Sequence, residues 1–555
     1  MMNSMGMNKV IKSNLRKLGI ENNIMKFIAN NINKGIDIHK LGNLFESSLN
    51  KNERKNKGQF YTPQNIVNYI ISYLNIDSTK NIMDPACGCG SFLLSIADVI
   101  KKNEGIPKFD NLYGIDINSN AVEITKLSLT IKSGFNKELI KVLNSNIVVG
   151  NSIVENRNVY PLAVDWKKTF SNIIKNGGFD IIIGNPPYIT LKKNDFDPKE
   201  SIYQKIVKGP ANAVILMIGK SLEYLKEGGI LAFVLPKSVL HVNTYSRLRE
   251  YILRNTSIIH ILDLGIKFKD VRGEQVILML KKEKPTPEHL IEIKVLKDPN
   301  ISLENHKSFF IKQNTFHEFN NKILICDNYS CYSIVDKIKS TGEQLRNIEG
   351  IQIFRGLTLS SKILHKTMKE GDEKVIKGKS IAKFYIKDFN YVDIQHIEKL
   401  NKELLRKIRT KKIIMQNIYS SESGIIAAYD EEGLITLDTV TNIIVEDDLF
   451  ARYLLGLLHS KLINFYISFA LFNRGRLTMH LDQSYIGEIP IAKIENDNYY
   501  NIIDLVDRLI NQKLELKHIL KAIDNEVYKI YNIKNYEIDV VEMEMGKLLS
   551  KKSIW

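Results

Sequence analysis

The segment FDIIIGNPPYITL, residues 179–191, joins a continuous apolar run to the tetrapeptide NPPY at 185–188. The apolar run predicts a buried strand that ends at Gly184. Two consecutive prolines remove two backbone donors and stiffen the chain, which a simple turn rarely requires. We therefore interpret the tetrapeptide as a rigid loop with a chemical role. The structural alternative is a strand-terminating turn with a buried tyrosine.

The sequence around this segment, from about residue 80 to 300, alternates short apolar runs with helical patterns. This alternation predicts an α/β fold, built from βαβ units with helices on both faces of the sheet. The last two runs, IIHILDL and EQVILMLKK, follow each other without a helix between them. We therefore expect a mixed sheet with an antiparallel hairpin at one edge, and we interpret IEIKVLK as a strand of that edge.

The chain divides by pattern into four expected parts. Residues 1–50 show helical spacing, and 51–300 contain the α/β domain. Short strands and loops, interrupted by the helical run YLLGLLHSKLINFYISFAL, predict a C-terminal α+β domain at 320–495. Residues 496–555 carry apolar residues at near-heptad spacing, which predicts a long terminal helix packed on its own domain.

The composition indicates a nucleic-acid partner without proving it. The chain has 555 residues, and its 78 lysines and arginines exceed the 62 acidic residues for a formal net charge of +16. Excess positive charge favours nucleic acid as a partner, and the alternative is a lysine-rich, solvated surface. The length favours two or three domains.

The four cysteines are too few for a disulfide framework in a chain of this size. Their spacing does not match a metal-ligand set, and no histidine cluster accompanies them, so we expect no metal. These features predict a reducing, cytoplasmic location. We find no signal peptide pattern at the N-terminus and no apolar stretch long enough for a membrane span.

The segment MDPACGCGSF, residues 83–92, predicts a strand that ends at Asp84, a tight turn through Gly88 and Gly90, and a helix. Such a turn lets backbone N–H groups approach a ligand closely. The segment matches neither GxGxxG nor a P-loop. An acidic residue inside the turn repels phosphate and suits an ammonium group, so we expect a ligand with positive charge.

Two further polar residues follow predicted neighbouring strands. Asp116 ends the second strand, where an acidic residue typically accepts hydrogen bonds from ribose hydroxyls, and Asn151 follows a third strand, where an amide suits a purine edge. Capping of the following turn is the structural alternative for each residue. Together with Asp84 they predict a ligand with ribose, adenine and an ammonium group, which describes S-adenosylmethionine.

The tetrapeptide suits chemistry on an exocyclic amine. The N6 amine of adenine is a poor nucleophile because its lone pair is delocalised into the ring. The side-chain oxygen of Asn185 and the backbone carbonyl of Pro186 would accept its two hydrogens and draw the nitrogen toward tetrahedral geometry. Preorganised dipoles need no rearrangement as charge develops. Tyr188 would offer a flat face on which the base stacks.

These motifs resemble the gamma class of S-adenosylmethionine-dependent DNA adenine-N6 methyltransferases, the Taq type. In that class a motif similar to GQFYTP, residues 58–63, precedes the glycine-rich turn, NPPY follows it, and a target-recognition domain lies C-terminal. All three features occur here in that order. The resemblance covers residues 40–300 firmly and 340–535 more loosely. It implies a Rossmann-like methyltransferase sheet and double-stranded DNA as the partner.

The resemblance also implies roles for individual residues. Tyr61, Thr62 and Pro63 would border the methionine end of the cofactor. The remaining cofactor set would be Asp84, Ala86, Gly88 and Gly90 at the amino-acid moiety, Asp116 at the ribose, and Asn151 at the adenine, where the class often has aspartate. Ile117, next to Asp116, would also belong to the cofactor site. The catalytic loop would be Asn185, Pro186, Pro187 and Tyr188. Phe268 would pack the second face of the target base, and the alternative is a core residue of an edge strand.

Methylation of N6 requires the adenine to leave the duplex, at a cost of a few kcal/mol. Phosphate and groove contacts from the C-terminal domain would offset that cost. We expect DNA contacts from Arg355, Arg474 and Arg476, with Lys362 and the basic run at 406–412 as further candidates. Taken one by one, each is more often a solvated surface charge.

Alternative functions remain open from the sequence. A protein glutamine-N5 methyltransferase would use NPPY on a planar amide, and an RNA adenine methyltransferase would use it on RNA. A third alternative is a DNA-binding specificity subunit with a decayed methylase. Glu292 and Lys294 have the local spacing of a nuclease core, but no partner aspartate precedes them, so we predict no nuclease. The chain would then be solitary or would act beside a separate restriction endonuclease.

Overall fold

The computed structural model describes residues 38–39, 42, 44–45, 62–105, 109–192, 195–265, 273–296, 302–399, 402–475, 477–493, 496–512 and 516–546. The chain divides into two compact units, with the boundary in the sequence between Ile323 and Leu324. Most of the N-terminal segment 1–50 lies outside the described residues. Its described part is helical, and Ile38 packs against the core of the first unit.

The first unit is built on one large sheet. Its strands are β1 Ile82–Asp84, β2 Leu112–Asp116, β3 Ile147–Val149, β4 Phe179–Gly184, β5 Leu225–Pro236, β6 Ser257–Gly265, β7 Gln275–Lys281, β8 Leu290–Val295 and β9 Ser308–Lys312. Within the described residues the strand order is β3-β2-β1-β4-β5-β7-β6-β8-β9. The first five strands in this order pair in parallel, and β7 runs antiparallel between β5 and β6.

Helices connect the strands of the first unit. They are Gln64–Ser72, Ser91–Glu104, Ser119–Lys132, Lys137–Asn146, Trp166–Thr169, Ser171–Lys175, Ser201–Ile206, Ala213–Tyr224 and Ser246–Asn255. The strand order reverses direction between β1 and β4. Because parallel crossovers are right-handed, the connections on either side of this point cover opposite faces of the sheet. A crevice therefore opens at the carboxyl ends of β1 and β4, the position where such sheets bind ligands.

The predicted α/β fold is confirmed, with two differences of detail. The β6–β7 hairpin exists, but β8 and β9 extend the sheet beyond it, so the hairpin lies inside the sheet. The segment IEIKVLK contributes β8, as expected of a strand near this edge. The third strand ends at Val149, and Asn151 lies beyond it in a single bridge to Ala163.

The second unit contains four small sheets among the described residues. Strands β11 Ile351–Arg355, β18 Val440–Val445, β14 Lys412–Gln416 and β16 Ala427–Asp430 form an antiparallel sheet in that order. A three-stranded sheet consists, in order, of β13 Asn390–Asp393, β12 Asp372–Ile376 and β17 Ile435–Thr436. Two further sheets have two strands each: β10 Glu343–Gln344 pairs with β20 Pro490–Ile491, and β15 Ile418–Tyr419 pairs with β19 Met479–His480.

The helices of the second unit are shorter than the sequence suggests. They are Ser330–Thr341, Ile394–Glu398, Lys402–Ile408, Asp448–His459, Lys461–Tyr466, Gln483–Ile486, Asp497–Gln512, Leu516–Ile530 and Asn535–Met545. The expected single run at 453–471 breaks at Ser460, whose extended backbone ends one helix and whose hydroxyl caps the next. A π-helical turn, Ile467–Leu471, completes this run.

The predicted long terminal helix is wrong in its continuity. The helices Asp497–Gln512 and Leu516–Ile530 pack against each other, which one straight helix would prevent. Asn532, with a φ of 52°, separates the second from the third. The third helix carries the fully buried Glu537, which accepts hydrogen bonds from Ser333 and Lys337. The expected parts 320–495 and 496–555 therefore form one compact unit.

Arg474 takes part in the packing of this unit. Its Nη1 lies 3.2 Å from Asp327 Oδ1, and its Nη2 lies 2.6 Å from Glu544 Oε2. The guanidinium thereby joins the start of the unit to its last helix. The sequence predicts that Arg474 contacts DNA. The structure instead commits its two terminal nitrogens to internal carboxylates, so we assign it a structural role.

A membrane-spanning helix is not found in the described ranges. No single helix there is long and apolar enough to cross a membrane. One bent pair, Asp448–His459 with Lys461–Leu471, meets the length and composition requirements only when its two members are joined across a 59° bend.

Replacement of Arg474 by alanine should destabilise the second unit by about 3 kcal/mol, because two partly buried carboxylates lose their cation. Urea unfolding followed by circular dichroism would measure the change. Arg355→Ala is the matched control, since the Arg355 side chain is 64% exposed. This control should change stability by about 0.5 kcal/mol or less. Equal stability of the two variants would refute the structural role of Arg474.

Candidate functional site

The candidate site lies where strands β1 and β4 end side by side. Asp84 is the last residue of β1, and Gly184 is the last residue of β4. A Cβ atom at position 184 would lie 2.6 Å from Asp84 Oδ1, which is closer than van der Waals contact allows. Only glycine therefore fits at this point. The NPPY loop begins at the next residue, directly beside the Asp84 carboxyl group.

Asp84 is a buried acid, with an exposure of 1%. Burial raises its pKa to about 8, the hydrogen bond from the Ala86 N–H lowers the pKa in part, and the charge of Asp116 raises it. Among the described residues no lysine or arginine contributes to the pKa of this carboxyl group. A cationic ligand group would stabilise the ionised form, so the environment of Asp84 suits an ammonium group.

The glycine-rich turn follows Asp84 and has the expected conformation. Gly88 and Gly90 have φ values of 51° and 86°, in the left-handed region that favours glycine. The Gly88 N–H donates to Asp116 Oδ2 at 2.9 Å, and the Gly88 carbonyl accepts from the Thr125 hydroxyl. The helix Ser91–Glu104 starts directly after Gly90. Asp116 at the end of β2 and Thr125 of the helix that follows β2 therefore fix the conformation of the turn at Gly88.

Asp116 closes this turn from the end of β2. Its Oδ1 accepts from the Asn118 N–H at 2.8 Å, while its Oδ2 accepts from Gly88. The capping role that the sequence left open is therefore present in the structure. Each carboxylate oxygen has a second acceptor position, so a ribose hydroxyl is compatible with these bonds. Ile117, the next residue, exposes 40% of its surface beside this carboxylate.

Asn151 and Pro63, two further members of the predicted cofactor set, lie outside the turn. Asn151 is half-buried, and its Oδ1 accepts from the Ile153 N–H in a local turn, which leaves the amide nitrogen for other partners. Pro63 precedes the helix Gln64–Ser72, where its carbonyl accepts from the Ile66 N–H. Tyr61 lies outside the described residues.

The NPPY loop contains a buried polar atom without a partner among the described residues. Asn185 Nδ2 donates to Thr62 Oγ1 at 3.2 Å, and Thr62 is 5% exposed. Asn185 Oδ1 is buried and has no hydrogen-bond partner among the described residues. Leaving such an oxygen unpaired costs about 1–3 kcal/mol, so it is an unusual feature of a folded protein. An amine that entered the site would satisfy it.

Tyr188 lies at the end of the same loop. Its hydroxyl donates to the Val234 carbonyl of β5 at 3.2 Å, and burial raises the pKa of the phenol above its usual range. The ring also packs against the core of the first unit. Pro186 is buried and Pro187 is half-buried, so the loop is fixed at both ends.

A buried ion-pair cluster, which the sequence analysis did not identify, lies beyond β5. Lys237 Nζ contacts Asp263 Oδ2 at 2.7 Å and Glu274 Oε2 at 3.1 Å. These residues stand at the end of β5, near the end of β6 and just before β7, so the cluster connects the three strands at the same end of the sheet as the NPPY loop. Phe268, the expected second aromatic residue, lies outside the described residues.

The expected DNA contacts differ in their surroundings. Arg355 is exposed, and its Nε donates to the Asp438 carbonyl at 2.5 Å. Arg476 lies outside the described residues.

Within the described part of the chain no group of three or more histidine, cysteine, aspartate or glutamate residues is arranged to hold a metal ion. Glu292 accepts from Ser308 and contacts His260, so it belongs to an internal network.

Comparison with known proteins matches two parts of the chain. Residues 110–269 match the Eco57I restriction-modification methylase family, and residues 373–491 match the TaqI-like C-terminal specificity domain. The type II methyltransferase M.VspI from a Vibrio species is 28% identical over 287 residues, covering 51% of this chain and 61% of M.VspI. The type II restriction enzyme and methyltransferase RM.Eco57I from Escherichia coli is 26% identical over 322 residues, covering 48% of this chain and 32% of the relative.

Solved structures show a similar fold at low sequence identity. The type IIL restriction-modification enzyme MmeI in complex with DNA has a TM-score of 0.55 and 14% identity, with 92% of this chain and 81% of that chain covered. The DrdV–DNA complex has a TM-score of 0.53 and 12% identity, with 88% and 60% covered. The chain spans less than two thirds of the length of the curated relatives named above.

The two matched segments correspond to the two units of the fold, with the NPPY loop inside the first match and most of the small sheets inside the second. The order of motifs and domains is consistent with a gamma-class adenine methylase. The chain therefore combines a segment that matches the Eco57I restriction-modification methylase family with a following segment that matches the TaqI-like C-terminal specificity domain.

Proposed function

We propose that the chain is a site-specific DNA methyltransferase that methylates N6 of an adenine swung out of duplex DNA. The observation that carries this proposal is the buried, unpartnered Oδ1 of Asn185 beside the glycine-rich turn. A buried acceptor with no internal partner fits an incoming amine hydrogen. The two family matches support methyl transfer to DNA within a restriction-modification system.

S-adenosylmethionine is the proposed cofactor, and when bound it supplies a methyl group on a sulfonium. The residues present fit this group. Asp84 would bind the ammonium, and the open backbone at Gly88 and Gly90 would lie against the amino-acid moiety. Asp116 would accept from the ribose hydroxyls. Ile117 would contact the apolar face of the adenine ring, and Asn151 would contact the polar edge of that ring.

The catalytic loop would act on the target base. Asn185 Oδ1 and the Pro186 carbonyl would accept the two N6 hydrogens and localise the nitrogen lone pair. Both acceptors stand on a loop that is fixed by β4 and by the Tyr188–Val234 bond, so little reorganisation accompanies the reaction. Tyr188 would stack on the base and offset part of the cost of unstacking. The proton leaves to solvent after methyl transfer.

The second unit would supply duplex DNA binding, which is consistent with the net charge of +16. We propose a cytoplasmic location, where the DNA is found and where the four buried thiols stay reduced. The absence of a nuclease activity stays a prediction. The chain would then act alone or beside a separate restriction endonuclease.

Asn185→Ala should lower kcat for methyl transfer to duplex DNA by about 100-fold or more, because one preorganised acceptor is lost. Cofactor affinity, measured by calorimetry, should stay within about threefold because Asn185 is assigned to the target base. Tyr188→Ala should raise the KM for DNA more than it changes cofactor affinity. A radiolabelled methyl donor with duplex DNA, RNA and protein substrates would provide the assay.

Asn172→Ala on the exposed side of a short helix is the control for this assay, and it should retain wild-type turnover. Unchanged turnover of Asn185→Ala would contradict the assigned role. Methylation of RNA or of protein glutamine, with none on duplex DNA, would replace the proposed substrate.

The affinity for S-adenosylmethionine should depend on pH through Asp84. Burial holds the Asp84 pKa at about 8 in the free protein, so the carboxyl group is neutral below that pH. A cation binds the ionised form, and binding therefore releases a proton. The affinity should rise about tenfold per pH unit below 8 and level off above it.

Calorimetry between pH 6 and 9 would measure this dependence. Asp84→Asn is the control, and its residual pH dependence reports the ionisation of the cofactor itself. An identical pH profile for wild type and variant would exclude Asp84 from the cation site.

A further inference from the structure

A polar groove lies within the second unit, between strand β11 and residues 480–484; we call it the β11 groove. Its volume is about 940 Å³. Alternate residues of β11, namely Ile351, Ile353 and Arg355, line one wall, as the period of two in a strand requires. His480 and Gln483 line the opposite wall. The lining residues Arg355, His480 and Gln483 are exposed, so the groove is open to solvent. Its volume can accommodate part of a nucleic-acid surface.

The backbone of the second wall is held by several internal bonds. His480 pairs with Ile418 in the β15–β19 ladder, and the Leu481 N–H donates to the Asn417 carbonyl at 2.9 Å. Asp482 Oδ1 accepts from the Ser484 N–H at 2.9 Å. The wall is thus preorganised, and the side chains of His480 and Gln483 project from it as exposed groups.

The lining chemistry favours bases over phosphates. Lysine is absent from the described residues that line the groove. Of its two arginines, Arg346 already donates to the Gly487 carbonyl and lies 3.4 Å from Glu488 Oε1, which leaves Arg355 as the cation open to a ligand. The carboxylate of Asp482 lies in the same wall and would repel a phosphate. Gln483 and His480 instead combine donors with an acceptor, which is the pattern that base edges require in the major groove.

Arg355 adds a preorganised donor pair. Its Nε is fixed by the Asp438 carbonyl, and its side chain remains 64% exposed. Nη2 lies 3.6 Å from Asp438 Oδ2, which is beyond hydrogen-bond distance, so the Nη1 and Nη2 groups keep N–H donors for a ligand. An arginine held in this way suits two parallel bonds to the O6 and N7 atoms of guanine.

We propose that the β11 groove receives the major-groove edge of the target DNA and that Arg355, His480 and Gln483 determine the recognised sequence. This proposal rests on the proposed DNA methyltransferase function. Gln483 matches the N6 and N7 atoms of an adenine that is read but not methylated, and Arg355 matches a guanine. His480 accepts from or donates to a neighbouring base.

Single-molecule sequencing of DNA methylated by Gln483→Ala, His480→Ala and Arg355→Ala would test the groove. Each variant should relax the methylated motif at one position, with discrimination there reduced about tenfold to a hundredfold. Gln352→Ala is the matched control, because Gln352 is exposed on the same strand but does not line the groove. The control should methylate the wild-type motif.

Two results would overturn the groove proposal. One is an unchanged motif in all three groove variants, and the other is an equal loss of methylation on every DNA sequence, which would indicate phosphate contacts. A wild-type protein that methylates no DNA would instead refute the proposed function, so the two failures are distinguishable.

An independent observation concerns Thr62, whose Oγ1 accepts from Asn185 Nδ2. We infer that Thr62 is a positioning residue: it holds the amide with its NH₂ group turned away and its carbonyl oxygen free for the target amine. This inference rests on the proposed function and differs from the cofactor contact that the resemblance implies. Thr62 and Asn185 are far apart in sequence, so the bond links the segment before the first described long helix to the catalytic loop.

Thr62→Val keeps the shape of the side chain but removes the acceptor for Asn185. It should lower kcat about tenfold or more, with the KM for DNA and the cofactor Kd within about threefold. Thr62→Ser keeps the hydroxyl acceptor and should therefore retain wild-type turnover. Full activity of Thr62→Val, or a loss of cofactor affinity that matches the loss of turnover, would overturn the positioning role while leaving an active wild type to support the proposed function.

Discussion

The close approach of strands β1 and β4 at their carboxyl ends determines the rest of the site. Gly184 lacks a side chain at the point where a Cβ would lie 2.6 Å from Asp84 Oδ1, and the two strands can therefore end at the same level. One end supplies a buried acid and the glycine-rich turn. The other supplies the NPPY loop. A larger residue at position 184 would push the two halves of the site apart.

Each half of the site contains a buried polar group that a ligand would stabilise. Asp84 is an acid that burial keeps from ionising easily, and a cationic ligand would relieve that cost. Asn185 Oδ1 is an acceptor that burial deprives of water, and an amine would relieve that cost. Both groups are less stable in the free protein than in the complex we propose. Such groups are typical of sites where binding is coupled to chemistry.

The second unit differs in character from the first. Its charged groups include an internal network at Arg474 and exposed polar groups along the β11 groove. The sequence places Arg355 and Arg474 in similar contexts, each beside glycine in a basic segment. Burial separates their roles: the Arg474 side chain is 21% exposed between two carboxylates, and the Arg355 side chain is 64% exposed beside one.

Local patterns predicted the strand–helix alternation, the glycine turn and the placement of Asp84, Asp116 and Asn185 at strand ends, because each depends on a few neighbouring residues. Contacts between distant residues were not predictable. The Thr62–Asn185 bond and the Lys237 cluster bring together segments that no local pattern relates. The prediction of one long terminal helix was wrong for a similar reason, because near-heptad spacing is compatible with a hairpin of helices as well as with one long helix.

The most direct measurement of the central claim is a crystal structure of the protein with a cofactor analogue and a duplex that contains its target adenine. The account predicts that Asn185 Oδ1 lies within about 3.2 Å of the adenine N6 atom, with the Asn185 amide nitrogen still bound to Thr62. An adenine that remains stacked in the duplex, or an N6 atom bound by other groups while Asn185 Oδ1 stays unpartnered, would contradict it.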